Sequence, residues 1–322
     1  MPTLLFVLIT AFAVLTGCSV ISVDFTPRIR PLEEQRVEGR GAAKILLLDV
    51  SGLLSDEGGA PLLNLGTPPV RVPLLVRIRE ELKKAAEDDK VRAVLVRINS
   101  PGGTVTASDM VYRELELFRR ETRMPIVAVM MDVAASGGYY VALAADTIIA
   151  HPTTVTGSIG TIMVSVNAEG LMQKLGVSAL AIKSGERKDM GSPFRSLTPE
   201  ERTIFQAVID DLHRQFVAKL VERRKLAPDV ARRLADGRIY TAEQALASGL
   251  IDHVGYMNEA LALARRAAHV DEAQIVMYRR PREYRATYYA RSETATPSME
   301  ATLAPLSTLI APGPRFLYLW WP

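Results

Sequence analysis

The constraint that narrows this chain most is an alternation of short apolar runs ending in glycine- or proline-rich turns with amphipathic helical patterns. Residues 44–50 hold Ile45-Leu46-Leu47-Leu48, a run suited to a buried strand, and a Gly/Pro-rich loop over 51–69 follows. From about Pro73, the residues Leu74, Leu75, Ile78, Leu82 and Ala85 mark one stripe of a helix. Residues 91–98 read as a second strand, which leads through Asn99-Ser100-Pro101-Gly102-Gly103 into a helix reaching Phe118. Residues 125–130 form a third strand, 134–145 a helix of small residues, and 147–150 a short strand. Segments 161–166, 168–175 and 179–183 continue the alternation. Strands separated by helices need crossover connections, so the expected class is α/β with a mostly parallel sheet.

Further along, Thr198-Pro199-Glu200-Glu201 has the form of a capping box. It opens a long helix with Ile204, Val208, Leu212, Phe216 and Leu220 at successive i+4 positions. Beyond residue 284 the pattern lapses into a Thr/Ser/Pro-rich stretch and ends in Arg315-Phe316-Leu317-Tyr318-Leu319-Trp320-Trp321-Pro322. An apolar aromatic tail suits a final strand, a membrane interface, or a substrate mimic that enters an active-site groove and is trimmed there.

Residues 2–23 carry no charge and contain Leu15-Thr16-Gly17-Cys18. The segment resembles a bacterial lipoprotein signal, with Cys18 as the lipidated residue and a bacterial cell envelope as the expected location, facing the periplasm or the exterior. An uncleaved anchor is the alternative, because a membrane span needs roughly 20 apolar residues. The first basic residues, Arg28 and Arg30, follow the apolar run, whereas a signal places them before it. The expected organisation is a signal over 1–17, a tether over 18–42, a catalytic domain over 43–283 and a flexible segment with the tail over 284–322. With 39 basic against 36 acidic residues, charge provides no reason to expect a nucleic-acid partner. A single cysteine excludes an internal disulfide and a cysteine-rich zinc site.

Three junctions fall where predicted strands end, which is where open parallel sheets bind ligands. They are Ser100-Pro101-Gly102-Gly103, Ala135-Ser136-Gly137-Gly138 and Thr156-Gly157-Ser158-Ile159-Gly160. Each alone is consistent with a plain tight turn. Together they suit a site in which backbone N–H groups gather the charge of an oxyanion. Ser136 is the leading nucleophile, since its small neighbours leave the hydroxyl unshielded. Of the four histidines, His151 alone follows a strand and is the candidate base of a triad; His213, His253 and His269 are poorly placed. A lysine of lowered pKa serves the same purpose. Lys183 and Lys188 both lie in the polar segment 183–193, and physical reasoning does not choose between them.

These junctions, the segment 183–193, and Asp236-Gly237-Arg238-Ile239-Tyr240-Thr241-Ala242-Glu243-Gln244-Ala245 resemble the signal peptide peptidase A family over about residues 44–264. The resemblance implies a crotonase-like (Clp protease-like) fold of repeated strand-strand-helix units. It implies a Ser-Lys dyad with Ser136 as nucleophile, Lys188 as general base and Ser158 orienting the lysine. The amides of Gly103 and Gly137 would form the oxyanion hole, and no cofactor or metal would take part. It further implies a ring-shaped homo-oligomer in which one chain's lysine meets its neighbour's serine, acting on extended apolar peptides such as signal-peptide remnants. The rival readings are an acyl-CoA enzyme of the crotonase fold and an inactive membrane-tethered scaffold.

Overall fold

The computed structural model describes residues 31–55, 72–281, 287–288 and 315–320. The expected signal segment and Cys18 lie outside the described residues, as does most of the Thr/Ser/Pro-rich stretch.

The chain opens with strands β1 (Glu33–Gly39) and β2 (Ala43–Ser51), helix α1 (Leu74–Ala86), strands β3 (Val91–Ser100) and β4 (Gly102–Thr104), and helix α2 (Val105–Thr122). It continues through β5 (Ile126–Ala135), α3 (Gly137–Ala142), β6 (Thr147–Ala150), β7 (Val155–Gly157), β8 (Ile162–Val164) and α4 (Glu169–Lys174). Then come α5 (Pro199–Arg224), α6 (Pro228–Leu234), β9 (Ile239–Thr241), α7 (Ala242–Ala247), β10 (His253–Val254), α8 (Met257–Ala267), β11 (Ala273–Arg279) and β12 (Arg315–Leu319).

The main sheet runs β1-β11-β2-β3-β5-β6-β10, with β7 branching from β5 and β9 pairing with β7; the pairings are parallel except β1 with β11 and β9 with β7. Its central strands are continuously apolar because both faces are covered. In β2, Leu46, Leu48 and Val50 enter one core while Ile45 and Leu47 enter the other. In β3, Val94, Val96 and Ile98 alternate in the same way with Ala93 and Leu95. Helices α1, α2 and α3 cover the first face; α8 covers the second through Met257, Ala260, Leu261 and Ala264. The mostly parallel α/β architecture agrees with the crotonase-like expectation.

Three local differences have physical reasons. Residues 33–39, expected in the tether, pair with β11; a charged edge strand exposes its polar side chains and so carries no buried apolar run. Residues 134 and 135 belong to β5, so the expected 134–145 helix is the shorter α3. Residues 179–183 form no strand, having no neighbour to pair with, and Leu180 and Ile182 stand 89% and 96% exposed.

The capping box at the start of α5 forms as expected: the Thr198 hydroxyl accepts from the Glu201 N–H at 3.2 Å, and Glu201 accepts from the Thr198 N–H at 3.1 Å.

Candidate active site

The three junctions meet at the carboxyl ends of β3, β5 and β7 because these strands are neighbours. Ser100 pairs with Ala134, and Ala135 pairs with Gly157. The Ser136 N–H then donates to Gly157 O at 2.7 Å, placing Ser158 one residue away from that contact. The Ser158 N–H donates to Arg238 O at 2.7 Å, so the Asp236–Ala245 motif holds this loop. Ser100 fixes the first turn: its hydroxyl donates to Gly52 O at 2.6 Å and accepts from the Gly102 N–H at 3.1 Å. Asn99 Oδ1 accepts from the Val133 N–H at 3.1 Å, tying the turn to β5.

Ser136 sits between β5 and α3 with φ 52° and ψ −114°, a conformation that non-glycine residues adopt only when their surroundings impose it. It is 1% exposed, and among the described residues its Oγ has no hydrogen-bond partner. A Cβ at Gly137 would fall 2.3 Å from Ser108 Oγ, and one at Gly138 would fall 2.5 Å from Ser100 O. The close approach of helix and turn therefore requires both glycines.

The carboxyl-terminal strand enters this site. β12 lies between β4 and β8, antiparallel to both. Tyr318 pairs with Gly103, and the Trp320 N–H donates to Pro101 O at 2.8 Å. Exchanging pairs recur every second residue in an antiparallel ladder, so Gly103 and Tyr318 form the next such pair and the Gly103 N–H faces the Tyr318 carbonyl. A Cβ at Gly102 would fall 1.9 Å from that carbonyl oxygen and 2.8 Å from Gly137 N. A backbone carbonyl thus sits against the Gly102–Gly103 turn and Gly137, beside Ser136. A carbonyl oxygen held against paired glycines in this way occupies the position where acyl transfer gathers the charge of a tetrahedral anion.

The Tyr318 ring is buried against Phe216 and Tyr140, with centroids 4.8 and 5.4 Å away, and its hydroxyl donates to Leu212 O at 2.7 Å. Burial pushes its phenol far above the ordinary value and keeps it a donor. Tyr140 is raised likewise by burial and by the Asp109 carboxylate, which accepts its proton at 2.7 Å.

Neither candidate lysine bonds Ser136. Lys188 lies exposed in a run of turns. Lys183 donates to Glu186 O at 2.8 Å and to Asp189 at 2.7 Å, shaping the loop that presents Lys188. Asp189 and Glu201 share Arg195, so the loop is fastened to the start of α5. Arg195 and Lys183 hold the Asp189 carboxyl well below the usual range, and Arg195 lowers Glu201 to about 2. Val166, Leu171, Leu175, Val177, Leu180 and Ile182 are exposed along the same segment. His151 is occupied elsewhere, bonded to Thr153 at 2.9 Å and stacked edge-on against Tyr256. Among the described residues no cluster of three or more His, Cys, Asp or Glu could hold a metal.

Sequence reasoning placed Asn99 and Ser100 in the first junction without reading their contacts, and missed Ser108, because these contacts are set by the tertiary approach of β3, β5 and α2. It also missed Tyr140 and Phe216 as a pocket, because helical apolar spacing reads as core.

Fold and site together define a serine hydrolase of the Clp-like class, with a strained, buried serine beside glycine amides at the end of a parallel sheet. Comparison with known proteins agrees: Clp protease matches residues 68–157 and Peptidase family S49 matches residues 119–271. An Enterococcus faecium protein named as signal peptide peptidase SppA is 34% identical over 247 residues, covering 77% of this chain and 70% of its own. A Synechocystis protein named as a protease is 43% identical over 192 residues, 60% of this chain and 69% of its own. The chloroplastic serine protease SPPA of Arabidopsis thaliana is 35% identical over 231 residues, 71% of this chain and 33% of its own. The chain belongs to peptidase family S49 and is a serine-type peptidase.

Proposed function

We propose that Ser136 is the nucleophile and that its general base is Lys188 of an adjacent copy in a ring-shaped homo-oligomer. The observation carrying this reading is a mismatch within one chain: Ser136 Oγ is buried without a partner, while Lys188 stands exposed on a segment of exposed apolar side chains. A second copy covering those side chains would bury apolar surface and deliver the amine. Neutral Lys188 takes the Ser136 proton as Oγ attacks a peptide carbonyl, and the Gly103 and Gly137 amides hold the resulting anion. The C–N bond breaks, the leaving amine takes the proton, and water then hydrolyses the ester. Ser158 orients the lysine.

The substrates are extended apolar peptides, signal-peptide remnants among them, which pair as strands between β4 and β8. A slot that accepts a strand fits a peptide better than an acyl-CoA thioester. The enzyme works at a bacterial envelope membrane, held there by a lipid on Cys18.

The test is complementation between inactive chains. Ser136→Ala and Lys188→Ala assemblies should each lose cleavage of an apolar peptide by about 1000-fold or more. Dissociated and reassembled together at equal amounts, they should recover about a quarter of wild-type activity, since random ring neighbours then complete that share of sites. Mixed rings without activity would refute the shared dyad, and an active Lys188→Ala chain would move the base to another residue.

A further inference from the structure

Resting on the peptidase reading, we infer that Tyr240 is a positioning residue for the reaction: its ring sets the Gly157 peptide, and through that one peptide it fixes both Ser136 and Ser158. Three observations carry this. Ser136 and Ser158 both have left-handed backbone, with φ 52° and 48°, a conformation that a residue with a Cβ keeps only where its surroundings impose it. Gly157 joins them, since its carbonyl accepts from the Ser136 N–H at 2.7 Å and Ser158 follows it in the chain. Gly157 is itself left-handed, with φ 85°, and a Cβ there would fall 2.4 Å from Tyr240 Cδ2 and 2.9 Å from Arg238 O. A glycine has wide backbone freedom; at this position the edge of the Tyr240 ring and the Arg238 carbonyl remove it.

The register of β9 extends this support to both serines. Tyr240 pairs with Thr156 and Ile239 with Gly157, antiparallel, so the carbonyl of Arg238, one residue further back, receives the Ser158 N–H at 2.7 Å. Arg238 is held in turn by Asp236, whose Oδ1 accepts from the Arg238 N–H at 3.1 Å and from its Nε at 2.8 Å. Tyr240 is 7% exposed and fixed at its far end, where its hydroxyl donates at 2.9 Å to the carbonyl of Leu234, the last residue of α6.

An aromatic side chain clamped at both ends acts as a rigid stop. An aliphatic one in its place leaves Gly157 room to turn its carbonyl away from the Ser136 N–H. Ser136 then loses the bond that holds its φ, and Oγ leaves the line of attack. Ser158, on the same peptide, loses its aim at the lysine. Substrate binding is spared, because β4 and β8 belong to the other sheet.

The experiment uses the full chain as purified, assayed with an internally quenched apolar peptide and with fluorophosphonate. A displacement near 1 Å at the reacting atoms costs on the order of 100-fold, so Tyr240→Ala should lower kcat by about that factor with KM unchanged. Labelling of Ser136 should slow by a similar factor. Tyr240→Leu keeps more of the side-chain volume and should show the same loss, which covers the case of an alanine variant that does not fold. Tyr240→Phe returns the ring and should recover most of the loss. Gly157→Ala should also lose activity, and the Gly157→Ala/Tyr240→Leu double variant should lose far less than the product of the two single losses, because both act on one peptide. Circular dichroism and size-exclusion chromatography restrict the comparison to chains that fold and elute as wild type does. Unchanged kcat in Tyr240→Leu, a loss that falls on KM, a Tyr240→Phe chain as impaired as Tyr240→Leu, or losses that multiply in the double variant each overturn this inference while leaving the peptidase reading intact. If Ser136→Ala cuts the peptide as well as wild type does, the peptidase reading fails, and the role of Tyr240 falls with it.

Discussion

The unpartnered hydroxyl of Ser136 has a thermodynamic consequence that can be measured apart from catalysis. A buried polar atom without a partner costs about 1–3 kcal/mol of desolvation, and Ser136 Oγ is such an atom. Alanine keeps the Cβ and the positive φ, so the substitution changes the hydroxyl alone. Ser136→Ala should therefore stabilise the fold by about 1 kcal/mol, which raises Tm by about 2–4 °C for a domain of this size. Ser136→Gly also releases backbone strain of about 1–3 kcal/mol, offset by about 0.5–1 kcal/mol of added chain entropy in the unfolded state. It should gain at least as much. The comparison belongs in a Lys188→Ala background, where Lys188 cannot reach the hydroxyl. Urea unfolding followed by far-UV circular dichroism, at one fixed protein concentration, gives the difference. In the presence of Lys188 the gain should shrink or reverse, because the amine then satisfies the hydroxyl. If Ser136→Ala destabilises the Lys188→Ala protein by 1 kcal/mol or more, the hydroxyl is bonded within its own chain and the reasoning fails.

Two other expectations concern the lysine loop and the amino terminus. Asp189 and Glu201 have carboxyl pKa values below their ordinary ones because of Arg195, so their contribution is complete above about pH 4.5 and is lost as pH falls toward about 2. Hydrogen exchange over 185–201, corrected for intrinsic rates, should rise across that window. Arg195→Ala should show the open behaviour already at pH 7; equal protection in the two proteins at pH 7 would count against the fastening. For the terminus, metabolic palmitate should label wild type and leave Cys18→Ser unlabelled, and equal labelling would remove the lipid anchor from the account.

Strands β2, β3 and β5 were legible in the sequence because burial on both faces turns them into unbroken apolar runs, which few other structures need. The helix after Thr198 was legible for a local reason, since its cap lies within four residues. The site was legible as chemistry, through serine and paired glycines at strand ends, but not as geometry. No local rule reveals that Ser136 takes φ 52°, which is imposed by β7 on one side and α2 on the other. The choice between Lys183 and Lys188 rested on resemblance. Their loop side chains differ in the fold, where Lys183 is engaged with Asp189 and Glu186. The course of β12 was beyond periodicity altogether. Its partners, Gly102–Thr104 and Ile162–Val164, lie 151 to 217 residues earlier, and nothing in a short aromatic segment names so distant a neighbour.

The edge strand β1 has a spatial consequence. Because the chain is already committed to the sheet at Glu33, a lipid on Cys18 would leave a leash of 15 residues, which reaches about 50 Å at full extension. With such a lipid in place, that distance would cap the height above a bilayer at which the groove could meet a polypeptide. Such an enzyme would patrol a thin layer over its own membrane, and lengthening the leash, with no change to the groove, would widen the set of chains it can seize.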